Sequence, residues 1–158
     1  MVTKGAKKIR RVLALDLGTQ LGWALLEGSS LSSGEVCLAP RRNEGPGMRL
    51  VRFRKFLDEI GDVDALYYES VNRHIGTQAA HVYGSLEGRL QEWCEDRKIA
   101  EYCGIPVTKI KKHATGKGNA DKHAMIDAAK ERWPDQQIGE REDNRADALW
   151  TLDCALNS

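Results

Sequence analysis

The chain has 158 residues, 41% of them hydrophobic, which suits one compact domain with a proper core, so disorder is not the default. Its 24 basic and 23 acidic residues leave a net charge of +1, so bulk charge singles out neither nucleic acid nor a membrane surface as partner. The basic opening MVTKGAKKIRR leads into an apolar run that stops at Asp16, too soon for a signal-peptide core or a membrane span. A soluble, cytoplasmic protein with no membrane contact is expected, one domain over 1–158 whose residues 1–8 form a basic, flexible N-terminus. Cys37, Cys94, Cys103 and Cys154 show no C-x-x-C pair and no zinc-ligand spacing, which predicts reduced thiols packed as small hydrophobes.

In chain order, residues 9–17 read as a strand rich in Ile, Val and Leu, and 21–28 as a second, with Gly18 and Gly22 flanking the change of direction. SSGEVCLA follows as a third, completing an antiparallel meander. After the loop APRRNEGPG, Leu50, Phe53, Leu57 and Ile60 recur at helical spacing, and this helix ends near Gly61. VDALYYES is a short apolar strand ending in an acid, Glu69. Over 77–98, Tyr83, Leu86, Leu90 and Trp93 share one helix face, either core or a surface for a partner helix. GIPVTKI reads as a fifth strand, KKHATGKGN as a loop, and ADKHAMIDAAKERW as a helix closed off by Pro134. EDNRADALWTLDCALN is a final helix, with Ala146, Leu149, Trp150 and Leu156 available to pack inward. Strands separated by helices usually run parallel, so the order predicts an α/β fold: a mixed five-stranded sheet, three antiparallel strands and then parallel ones, flanked by helices.

Acids stand at the ends of separate elements: Asp16 on the first strand, Glu69 on the fourth, Asp143 and Asp147 in the last helix. A carboxylate between apolar neighbours is costly to desolvate, whereas several around a divalent cation are neutralised by it. If the first and fourth strands lie side by side beneath the last helix, these acids converge. Asp143 and Asp147 share a helix face, as do Asn144 and Asp147. Taken singly, a strand-end Asp can be held by backbone amides, and acids near a helix N-terminus are ordinary caps.

The segments VLALDLGTQLGWAL, ALYYES and DNRADALWTL, in this order, resemble the RuvC family of Holliday junction resolvases, in a version similar to phage-encoded members. The likeness runs from about Arg10 to Leu156 and includes IKKHATGKGNADK. It implies an RNase H-like fold and a dimeric, structure-specific endodeoxyribonuclease using Mg2+ or Mn2+, two ions per site, held by four acidic positions. By motif, Asp16, Glu69 and Asp147 take three of these. Cellular members carry an acid or histidine three residues before the last aspartate, where this chain has Asn144; Asp143 is taken as the fourth ligand with Asn144 beside it as the alternative. The implied chemistry is two-metal-ion phosphodiester hydrolysis that leaves a 5′-phosphate and a 3′-hydroxyl, in recombination, repair or phage DNA processing. For a phage-encoded protein the location is the bacterial host cytoplasm.

Local charge supports a DNA partner. Lys109, Lys111, Lys112, Lys117 and Lys122, with His113, are opposed only by Asp121, and Gly116 and Gly118 let backbone approach a phosphate ahead of a helix beginning near Asn119. Lys111, Lys112, Lys117 and Lys122 are the expected DNA contacts. Arg49, Arg52, Arg54 and Lys55 read as a solvated helix face. Arg73 and His74 lie in the segment where cellular members place an aromatic wedge, and are expected to touch nucleotides of a branched, four-way DNA. A four-way junction is close to two-fold symmetric and suits a homodimer, and the Tyr83 stripe lies in the helix that makes the family's dimer contact. Two further function classes fit parts of the chain: a nuclease on forks or other branched DNA, and a non-catalytic branched-DNA-binding module. DLGT also resembles the phosphate loop of actin-like ATPases, which need a second domain that 158 residues do not supply.

Overall fold

A computed structural model describes residues 8–74 and 76–157; most of the basic N-terminal segment assigned to 1–8 lies outside the described residues. Strands β1 (Arg11–Asp16), β2 (Gln20–Glu27) and β3 (Ser30–Cys37) form the expected antiparallel meander. Helix α1 (Met48–Ile60) leads to β4 (Ala65–Ser70), α2 (Thr77–Asp96) to β5 (Glu101–Pro106), and β1, β4 and β5 run parallel. The sheet order is β3-β2-β1-β4-β5. Helices α3 (Val107–Thr115), α4 (Lys122–Arg132) and α5 (Asp143–Asn157) complete the chain, with a 3-10 turn at Pro134–Gln136.

Side-chain alternation along β1 and β4 builds two cores. Val12, Ala14, Ala65 and Tyr67 face α4 and α5, while Leu13, Leu15, Leu66 and Tyr68 face α1 and α2. The central strands are therefore apolar on both faces, which is why β1 reads as a continuous hydrophobic run. The stripe Tyr83, Leu86, Leu90 and Trp93 is buried in the second core within this one chain, so it offers no surface for a partner helix. Ala146, Leu149 and Trp150 pack inward as expected, but Leu156 is exposed.

The segment after β5 departs from expectation. In place of a strand over 104–110 and a loop over 111–119, the strand ends at Pro106 and a helix starts at once. Pro106 has the extended conformation of a helix N-cap position (φ −59°, ψ 138°), and Ile110 is buried beneath the helix. Val107, Thr108 and Ile110 favour strands by β-branching, but burial of Ile110 outweighs that small preference. Gly116 stops α3 in the left-handed conformation (φ 84°), its N–H donating to the Lys112 carbonyl at 2.8 Å. The following helix starts at Lys122, not near Asn119, because Asp121 is the cap: its Oδ1 accepts from the Ala124 N–H at 2.8 Å. The cysteines form no disulfide among the described residues, yet only Cys94 and Cys154 are buried; Cys37 and Cys103 are exposed at edges of the sheet. Among the described residues no helix is long and apolar enough to cross a membrane.

Candidate metal centre

Asp16 follows Val12 and Ala14 on one face of β1, and Glu69 follows Ala65 and Tyr67 on the same face of β4. The parallel register pairs Val12 with Ala65 and Leu15 with Tyr68, so its next step sets Asp16 beside Glu69. Helix α5 crosses β1, β2 and β4 on this face, carrying Asp147 in its second turn. One carboxylate oxygen from each of Asp16, Glu69 and Asp147 lies within 4.8 Å of the other two. Three elements that are far apart in sequence thus deliver three acids to one point.

Close approach of α5 depends on Gly22, the cross-strand partner of Asp16. A Cβ there would stand 1.9 Å from the Asn144 carbonyl oxygen, so only glycine lets the first turn of α5 rest on the sheet. Tyr83 braces the other strand: its hydroxyl donates to the Glu69 carbonyl at 3.0 Å and accepts from the Val71 N–H at 3.1 Å.

Crowding acids in an apolar setting disfavours their charged forms. Burial holds the Asp16 carboxyl well above the ordinary aspartate range, and the charges of Glu69, Asp147, Asp143 and Glu35 raise it further. Asp147 is pushed up to about 8, by burial first and then by Glu69 and Asp143, against the opposing pull of Lys111 and Lys122. Burial also raises Glu69, with Lys111 opposing. Such a cluster is at ease only when protons or cations neutralise it, and its oxygen-only donor set suits hard cations such as Mg2+ or Mn2+.

Asp143 stands outside the group of three; its Oδ2 lies 3.4 Å from Lys122 Nζ, yet its charge is felt at both Asp16 and Asp147. Asn144 presents its backbone carbonyl to Gly22. Lys111 and Lys122 flank the cluster from α3 and α4, whereas Lys112 and Lys117 are exposed. His113 is tied into the packing, with Nε2 2.7 Å from Asp153 Oδ2. Arg73 is exposed, and His74 packs against Tyr83 with ring centroids 4.9 Å apart and planes tilted by 47°, lining a cleft of about 400 Å³ with Leu17, Val71 and Gln78. The arginines of α1 are only partly a solvated face, since Arg49 donates to Thr19 Oγ1 at 3.2 Å and Arg52 grips Glu44 at 2.6 and 2.8 Å. Glu35, Gly22 and Arg145 belong to the site's surroundings although nothing local in the sequence marks them.

A mixed sheet with an antiparallel meander on one side and parallel strands on the other, flanked by helices, defines a RuvC-type, RNase H-like fold. T. thermophilus RuvC in complex with a Holliday junction substrate is similar with a TM-score of 0.69 at 18% identity, covering 90% of this chain and 90% of that one. A second T. thermophilus RuvC structure gives 0.67 at 18% identity over 89% of this chain and 90% of the other. No family model matches the sequence, nor does any curated protein.

Proposed function

We propose that this chain is a metal-dependent endodeoxyribonuclease that cuts branched DNA, four-way junctions foremost, in recombination or phage DNA processing. The observation that carries the proposal is the convergence of Asp16, Glu69 and Asp147 oxygens within 4.8 Å on a RuvC-like fold. Asp143, one helical turn before Asp147, is the fourth ligand in this reading, and two Mg2+ or Mn2+ ions are the complement. Such ions would supply an activated water for attack and a counter-charge for the leaving oxygen.

The chain's own residues do the rest. Asp16, at the end of β1 in the middle of the sheet, would be one of the ligands to the ions. Glu69 and Asp147 hold the flanks, and burial keeps bulk water from competing for their oxygens. Lys111 and Lys122 attract the backbone phosphates nearest the acids, Lys112 and Lys117 those further along, without regard to base identity. Arg73 and His74 meet nucleotides where the strands exchange. A homodimer would present two such sites to the two-fold junction, through surfaces other than the Tyr83 stripe.

Labelled four-way, forked and linear duplex DNA, incubated with Mg2+, Mn2+ or chelator, tests this directly. Junction cleavage that leaves 5′-phosphate ends, and that is lost with chelator and in Asp16→Asn and Asp147→Asn, is the expected result. Junction affinity without any cutting by the wild-type chain would overturn the nuclease reading in favour of a binding module, and preference for forks would move the substrate.

A further inference from the structure

Resting on the metal-nuclease reading, we propose that Glu35 and Arg145 form a cross-sheet lock that positions Asp143 and Asp147 as ligands, making them positioning residues of the site. Asp16, Gly22 and Glu35 occupy one row across β1, β2 and β3, because Asp16 pairs with Gly22 and Gly22 with Glu35. The acid at one end of the row is a ligand. Gly22 in the middle is the bare floor on which α5 rests.

Glu35 at the other end holds the helix. Its Oε1 accepts from the backbone N–H of Arg145 at 3.1 Å. That amide lies in the first turn of α5 and has no intrahelical partner of its own, so an acid on a strand 110 residues away caps the helix. The Arg145 side chain then folds back on the same strand: Nε donates to Ser33 Oγ at 2.8 Å, one terminal nitrogen to the Gln136 carbonyl at 2.6 Å, and the other to Glu142 at 3.2 Å. Ser33 in turn donates to Gln136 Oε1 at 2.6 Å. Ser33 and Glu35 are two apart on β3, hence on one face, and both are committed to Arg145. This accounts for a polar β3 beside the apolar β1.

The consequence is mechanical. A helix slipping by one residue moves about 1.5 Å and turns about 100°, whereas metal ligands tolerate about 0.2 Å. Residue 145 lies between Asp143 and Asp147, and it is held at both its amide and its guanidinium, which fixes slide and rotation together. Lysine cannot replace the planar fork that reaches three acceptors at once.

Mn2+ titration of the full chain, following the EPR signal of free ion, tests the lock together with amide exchange at Arg145. Glu35→Ala is expected to weaken Mn2+ binding about 10-fold or more and to deprotect the Arg145 amide. Glu35→Gln keeps an acceptor oxygen and should bind within about 3-fold of wild type. Arg145→Lys should fail to rescue, also near 10-fold weaker, about the loss seen for outer partners of metal ligands. Unchanged affinity in folded Glu35→Ala, or Glu35→Gln as weak as Glu35→Ala, overturns the proposal. Should Glu35→Ala not fold, Ser33→Ala removes one anchor alone, and unchanged Mn2+ affinity there overturns it equally. A wild-type chain that binds no Mn2+ defeats the metal reading instead, told apart by Arg145 exchange, which needs no metal.

Discussion

Tyr83 and Glu69 belong to different elements, yet the tyrosine hydroxyl spans the end of β4, donating to the Glu69 carbonyl at 3.0 Å and accepting from the Val71 N–H at 3.1 Å. Burial first, then the charge of Glu87, pushes this phenol up to about 12, so it stays neutral and able to donate at any ordinary pH. Tyr83→Phe keeps the ring and removes both bonds. A loss of about 1–2 kcal/mol in denaturant-determined stability is expected. Weaker divalent binding should accompany it, since the strand end carrying Glu69 is released.

The acid cluster makes the metal-free chain pH-sensitive. Asp147 is pushed up from the ordinary aspartate range to about 8 in the folded chain, so the native state keeps a proton that the unfolded state has lost. Its contribution is fully present below the unfolded value and is lost as pH rises through 8. In EDTA, therefore, Tm should fall between about pH 4 and pH 8, and Asp147→Asn should raise Tm at pH 8 by at least about 3 °C. Mn2+ should raise Tm of the wild type at pH 8 and leave Asp147→Asn nearly unmoved. A flat Tm across that range in EDTA would contradict the burial argument.

Asp143 and Asn144 compete for the proposed fourth ligand position, and they act on different neighbours. Asp143 is felt electrostatically at both Asp16 and Asp147, while Asn144 contributes a carbonyl to the contact over Gly22. Asp143→Asn should lower metal-dependent cleavage by about 100-fold, an effect of at least 2.7 kcal/mol on the barrier by the usual conversion of roughly 1.36 kcal/mol per tenfold. Asn144→Ala should cleave near the wild-type rate. The reverse pattern would assign the position to Asn144.

Two separable roles are proposed for Lys111. As a phosphate contact, its replacement by alanine should weaken junction binding for every sequence and lower the salt slope by roughly 0.9. As the cation that opposes the raised Glu69 and Asp147, its loss should lift both further, moving the acidic limb of the metal-binding profile to higher pH. Lys117, exposed and absent from the charges that shift the three acids, should show only the first effect, measured by salt-dependent binding in parallel with pH-dependent Mn2+ titration.

What the sequence determined by itself was whatever rests on local periodicity. Apolar runs ending in Asp16 and Glu69 marked two strands with acids at their tips, helical spacing marked α1, α2 and α5, and the i, i+4 spacing of Asp143 and Asp147 placed them on one face. Their convergence was conditional on the first and fourth strands lying side by side, a neighbour relation that the strand order β3-β2-β1-β4-β5 supplies. Tertiary packing decided the rest. Burial of Ile110 turned a β-branched segment into α3 and moved the lysines from a loop to a helix; the Tyr83 stripe went to the core because two faces of one sheet needed covering. Most telling is Arg145, whose amide and side chain meet Glu35 and Ser33 more than 100 residues away. Hydrogen bonds at that separation leave no repeat in the sequence, because direction and distance between two strands and a helix exist only once the chain has folded.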